Sequence, residues 1–233
     1  KSMRDVLVNG GIALYEAKRM GRNQAVVFDA ALRNIAITNK KVADELLVAL
    51  ENDQFQVFYQ PQISAHTLEI EGAEALVRWR HPERGMLAPG HFIATAETTG
   101  SIARIDAVVL KKAAAQHRAW CEMGIAVPHV SVNISAQRLV DPGLLESIRE
   151  IAPKPGSLCL ELLESISFDE QGTSLETSVA QIKALGVDVE IDDFGTGYAS
   201  ILSLLARQDG TLLKADVPAR SVDSTWLQRV FKT

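Results

Sequence analysis

The chain has 233 residues, with 24 Lys+Arg against 29 Asp+Glu for a net charge of −5, and 47% of its residues are hydrophobic. That hydrophobic fraction fills a sizeable core and excludes a disordered chain, and the length allows one large domain or one domain with a remnant. The mild acidity offers no basic face for a DNA or RNA polymer, so any phosphate ligand must be met by local chemistry. The two cysteines, Cys121 and Cys159, are too few for a disulfide scaffold and suit reduced thiols in a cytoplasmic domain. No uncharged apolar run approaches the length of a membrane span, and no signal-peptide pattern opens the chain.

Leu7, Leu14 and Ala17 recur near heptad spacing, and Gly21 with Asn23 marks a helix C-terminus. One amphipathic helix cannot bury its stripe alone, so 1–33 reads as the end of an upstream domain. The polar segment 34–42 reads as a linker and 43–233 as the main domain. From there short strands and helices alternate. The spacing predicts strands over 55–60, 70–80, 130–135, 158–163, 187–191 and 212–214. Between them fall a helix through Ile102, Ile105, Val109, Ala113 and Trp120 that stops at Gly124, and one opened by Asp141-Pro142. A third passes through Leu175, Val179 and Ile182 and closes at Gly186, and a short one covers 198–205. This order argues for a parallel sheet with helical crossovers, and for an α/β fold of the TIM-like (β/α) barrel type.

In such a barrel the chemistry gathers at the C-terminal ends of the strands. Those ends supply Glu74, Asn133, Glu161, Asp192 and Asp193, followed by Lys214. Singly, a strand Asn or Glu is as easily a solvated edge residue. Four carboxylates at one mouth repel each other unless cations neutralise them, and all-oxygen ligation favours Mg²⁺ or Mn²⁺. Two such ions are a standard device for in-line attack on a phosphodiester.

The run Glu74-Ala75-Leu76-Val77-Arg78 resembles the signature of the EAL family of bacterial cyclic di-GMP phosphodiesterases. The resemblance extends to Tyr59-Gln60-Pro61, Val132-Asn133-Ile134-Ser135, Leu160-Glu161-Leu162-Leu163-Glu164-Ser165 and Asp192-Asp193-Phe194-Gly195-Thr196-Gly197-Tyr198. Residues 13–23 are similar to the closing helix of a GGDEF (diguanylate cyclase) domain, which implies the second half of a GGDEF–EAL tandem protein. What the resemblance implies can be stated residue by residue. Glu74, Asn133, Glu161, Asp192 and Asp193 hold two Mg²⁺ or Mn²⁺ ions, with Ca²⁺ inhibitory. Lys214 and Asp193 stand by the attacking water, and Gln60, Leu76 and Arg78 hold the dinucleotide. Glu164 orders the loop 194–200. The product is linear pGpG. Further implied partners are an upstream GGDEF or sensor domain, through which the full-length protein would be membrane-attached, and a second copy in a homodimer.

The resemblance covers six of the barrel's eight strands. The family's last two, with a further Glu ligand and a Gln, have no counterpart in 217–233, so the expectation is a slow, self-associating chain with an open sheet edge. The rival expectations are a non-catalytic cyclic di-GMP receptor, a structural or dimerisation fragment, and an enolase-like metal enzyme on the same fold.

Overall fold

The computed structural model describes residues 2–19, 21, 23–163, 172–192 and 212–213. Glu164, Asp193, Lys214 and the helix expected over 198–205 lie outside them, as do 217–233. The Asp192 backbone is described but its side chain is not.

Two helices, α1 (Met3–Arg19) and α2 (Ala30–Glu51), precede the sheet. The strands are β1 (Phe55–Ile63), β2 (Ile70–His81), β3 (Gly85–Leu87), β4 (Val130–Ile134), β5 (Leu158–Leu163), β6 (Asp188–Asp192) and β7 (Leu212–Leu213). A 3₁₀ turn and the short α3 (Ile93–Thr98) lead into α4 (Ile102–Glu122), which carries the chain to β4. Beyond β4 come α5 (Ala136–Leu139), α6 (Pro142–Ile151) and α7 (Gly172–Ala184). Among the described residues the sheet order is β1-β2-β4-β5-β6-β7, with β3 attached to β2.

From β2 through β4, β5 and β6 to β7 the pairing is parallel, as the helical crossovers demand. The first pair corrects the all-parallel expectation: β1 runs antiparallel to β2, with Phe55 opposite Trp79 and Gln60 opposite Glu74. Only six residues, 64–69, separate these strands, which is too short for a crossover and suits a hairpin. β3 folds back on β2 in the same way.

The segment 34–42, read as a polar linker, is the middle of the continuous helix α2. Asp29 caps that helix, its carboxylate accepting the Leu32 N–H at 2.7 Å. The C-terminal half of α2 buries Val42, Leu46 and Ala49 in the main core beside Phe55, Trp79 and Phe92. Glu45 on its flank accepts from Arg84 at 2.6 Å and from His81 at 3.3 Å, tying α2 to the β2–β3 turn. The expected stripe on α1 is only partly covered, since Ala17 is buried while Leu7 and Leu14 are exposed.

The core lies between the sheet and the helices that follow it. On β4, Val130, Val132 and Ile134 are buried, and Leu158, Leu160 and Leu162 do the same on β5, packed in one cluster with Ile105, Val109 and Ala113 of α4. Gly124 ends α4 at φ +73°, a conformation that strains any residue with a Cβ. Asp141 caps α6 as its sequence indicates, accepting the Gly143 N–H at 2.8 Å. No helix among the described residues is long and apolar enough to cross a membrane.

Candidate functional site

Side chains alternate along a strand, so the residues that skip the core face collect on the other face of the sheet. On β2 these are Gly72, Glu74, Leu76 and Arg78. Their register partners on β1 are Gln62, Gln60, Phe58 and Gln56. Opposed and diagonal residues of an antiparallel pair share a face, and Arg78, diagonal to Phe58, holds its guanidinium 5.8 Å from the centre of the Phe58 ring. The Arg78 Nη1 also donates to the Val77 carbonyl at 2.8 Å. Phe58 is 49% exposed, a large apolar ring facing solvent beside a cation.

Asn133 is the hinge of the arrangement. Its amide Nδ2 donates to Glu74 Oε1 at 2.9 Å, linking β4 to β2. On its other side it is the register partner of Glu161 on β5. Glu161 is fully buried, and a carboxylate in that position needs hydrogen bonds or a cation. One hydrogen bond comes from across the sheet, where the Gln62 amide donates to Glu161 Oε1 at 3.2 Å. One step along, Glu161 is paired in register with Glu190 of β6, and Leu163 with Asp192. The buried Cys159 thiol reports the local field. Burial pushes its pKa up, and the carboxylates of Glu190, Glu161 and Asp188 push it further in the same direction.

This corrects one detail of the strand-end reading. Glu74 and Glu161 stand mid-strand, and only Asp192 ends its strand. The reason is that β2 runs twelve residues, prolonged by its pairing with β1 and β3. Among the described residues no three His, Cys, Asp or Glu form a metal-holding group. Two carboxylates and an amide do share the neighbourhood of Asn133, and Asp193 and the Asp192 side chain lie outside the description. An all-oxygen donor set, a buried carboxylate and a negative local field suit a hard divalent cation. Gln60 is exposed and lies opposite Glu74, while Leu76 and Arg78 are half-buried on the same face.

Two residues of this face were missed in the sequence, Gln62 and His129. Gln62 sits two positions beyond Gln60 and shares its strand face, a signal that was available. His129 precedes β4, and nothing in its local pattern indicates a contact with β1. A cleft of about 620 Å³ lies elsewhere, between α1, α2 and α3, with Val8, Ile12, Leu32 and Ile35 in its walls. None of the site candidates lines it.

An α/β sheet with acidic and amide side chains on the face away from the helices defines a class, and comparison with known proteins identifies it. The EAL domain family model matches residues 43–216, and the chain belongs to that family, with its TIM-like barrel fold. It is 37% identical over 216 residues to the bifunctional diguanylate cyclase/cyclic di-GMP phosphodiesterase MucR of Pseudomonas aeruginosa, covering 91% of this chain and 31% of MucR. To the cyclic di-GMP phosphodiesterase PdeR of Escherichia coli K12 it is 35% identical over 215 residues, covering 91% of this chain and 32% of PdeR. The chain thus spans about a third of the length of these relatives. Among solved structures, the MucR phosphodiesterase in complex with cyclic di-GMP superposes with a TM-score of 0.67 at 31% identity, over 82% of this chain and 92% of that one. The Xanthomonas citri FimX EAL domain in complex with cyclic di-GMP gives 0.67 at 27% identity, over 79% and 72%.

Proposed function

We propose that this chain binds cyclic di-GMP and hydrolyses one of its phosphodiester bonds to give linear pGpG. The observation that carries the reading is the Asn133–Glu74 hydrogen bond at 2.9 Å with buried Glu161 as the next register neighbour. Glu74, Asn133 and Glu161, with Asp192 and Asp193, would hold two divalent cations, Mg²⁺ or Mn²⁺, with Ca²⁺ as an inhibitor. Bound there, the ions would supply Lewis-acid stabilisation of the charge that builds on the phosphodiester oxygens.

The chain's own residues supply the rest. Arg78 offers a planar guanidinium to a phosphate, and Phe58 and Leu76 beside it offer apolar area to a base. Gln60 adds an exposed amide on the same face. Asn133 donates to Glu74 through Nδ2, which turns its Oδ1, the atom able to accept a cation, away from that bond. Asp193 and Lys214 would stand by the attacking water, Lys214 adding positive charge, and Glu164 would order 194–200. The names of MucR and PdeR support this substrate. The shared length leaves room in the full protein for an upstream domain, and the GGDEF-like stretch 13–23 proposes its kind.

The test is a two-stage assay. Cyclic di-GMP is titrated in Ca²⁺, and turnover is then followed in Mg²⁺ and Mn²⁺ by chromatographic detection of pGpG. Binding followed by pGpG formation is the expected result. Binding without product in either metal would replace the enzyme with a receptor, and absence of both would overturn the reading.

A further inference from the structure

Gln62 reaches an unusual distance for a β1 side chain. In the sheet β1 is separated from β5 by β2 and β4, yet the Gln62 amide donates to Glu161 Oε1 at 3.2 Å. The path is opened by Gly72, its register partner on β2. A Cβ on Gly72 would stand 2.7 Å from Gln62 Oε1 and 2.5 Å from His129 Nε2, so neither side chain could lie where it does. The other end of the amide is held as well. Gln62 Oε1 lies 3.1 Å from His129 Nε2 and accepts from the Ser131 hydroxyl at 3.5 Å.

These contacts fix the direction of the amide. The Gln62 NH₂ faces Glu161 Oε1, which accepts, so the Gln62 oxygen at the other end of the amide must face donors. Ser131 supplies one, and His129 supplies the other when its proton is on Nε2. The chain His129–Gln62–Glu161 is therefore consistent in one sense only, and it ends on a carboxylate held as an acceptor. Removing a group that orients a ligating side chain typically costs about 10–100-fold in metal affinity.

We infer that Gln62 is a positioning residue for the cation site, holding the Glu161 carboxylate aimed, with His129, Ser131 and Gly72 locking its amide from behind. This rests on the proposed metal-dependent function and extends it to residues outside the ligand set. Gln62 lies outside the proposed ligand set and acts through Glu161.

The experiment measures Mn²⁺ binding by calorimetry without nucleotide, for the full chain and for Gln62→Met, His129→Phe and Glu161→Gln, with metal-free thermal melting of each. Met keeps the length of Gln but donates nothing, and its Mn²⁺ affinity should fall about 10–100-fold while metal-free melting is little changed. His129→Phe removes the donor that locks the amide and should give a smaller loss in the same direction. Mn²⁺ affinity within twofold of the parent in folded Gln62→Met overturns the inference. If that variant melts early, an unchanged affinity in His129→Phe overturns it instead. Binding lost in Glu161→Gln but kept in both other variants removes the role of Gln62 and leaves the metal site standing. No Mn²⁺ binding by the parent chain removes both.

Discussion

Asp106 of α4 is 7% exposed, and its carboxylate accepts the Ser135 N–H at 2.9 Å, two residues beyond Asn133. Burial pushes its pKa up to about 6, only partly offset by the Ser135 hydrogen bonds and by the Arg138 charge. The folded state therefore holds this proton more tightly than the unfolded chain, which releases it near 3.8. The stability it contributes is complete below about pH 4 and is lost as pH rises to about 6. Asn at this position keeps the acceptor and removes the charge. The stability of Asp106→Asn relative to the parent should thus rise by about 2–3 kcal/mol between pH 4 and pH 7. Urea unfolding at both pH values measures it, and parallel pH profiles would show that the Asp106 pKa is the same in the folded and unfolded chain. Arg78 gives a second residue-scale expectation. If its guanidinium grips a phosphate, Arg78→Ala should weaken cyclic di-GMP binding by about 1.5–3 kcal/mol, with Mn²⁺ affinity unchanged. Lys should not rescue it, since the planar fork and the Phe58 stack are lost together. Equal nucleotide affinity in Arg78→Ala would return Arg78 to a structural role.

At the scale of elements, what the sequence reveals depends on how each one is buried. The segments 130–135 and 158–163 announce themselves because their apolar positions alternate and are bounded by turn residues. The observed β4 and β5 fall within a residue of those limits. The helix α2 hides in its first half, where Asn34, Thr38, Asn39 and Lys40 face mainly solvent and read as linker. Its main-core positions, Val42, Leu46 and Ala49, are three and four residues apart but lie at one end, with Leu32 buried alone in the first turn. The antiparallel start was legible in the spacing, since the nine residues left between 55–60 and 70–80 are too few for a crossover, although a strand's direction leaves no mark on its own composition. The short β3 and α3 escape periodicity by being too brief to repeat. Leu46 is fully buried against the aromatic cluster, so Leu46→Ala should destabilise the fold by about 2–5 kcal/mol. Chemical denaturation reads this directly. A loss below about 1 kcal/mol would mean that α2 packs on the sheet without contributing to its stability.

For the molecule as a whole, the candidate site was legible as motifs and illegible as contacts. Glu74, Asn133 and Glu161 stand out because polar side chains interrupt apolar strands. The bond from Gln62 to Glu161 spans 99 residues of sequence, and no local pattern encodes it. A cation shared by β2, β4 and β5 would join three strands that now meet only through backbone ladders and a few side chains. Mn²⁺ at a hundredfold excess over its dissociation constant should then stabilise the fold by about 2.7 kcal/mol. A rise in melting temperature that disappears in Glu161→Gln is the expected signature, and an equal rise in both proteins would place the ion elsewhere.

The helix α2 has one more consequence, and it is a matter of phase. Its 22 residues contain neither Gly nor Pro, and at 1.5 Å per residue they form a rod about 33 Å long, gripped by the core at one end only. The angle at which α1 stands is thereby fixed like a hand on a dial. One residue inserted near Thr38 would turn everything on the N-terminal side by about 100°, whereas seven would bring it back to within about 20° while moving it outward by two turns.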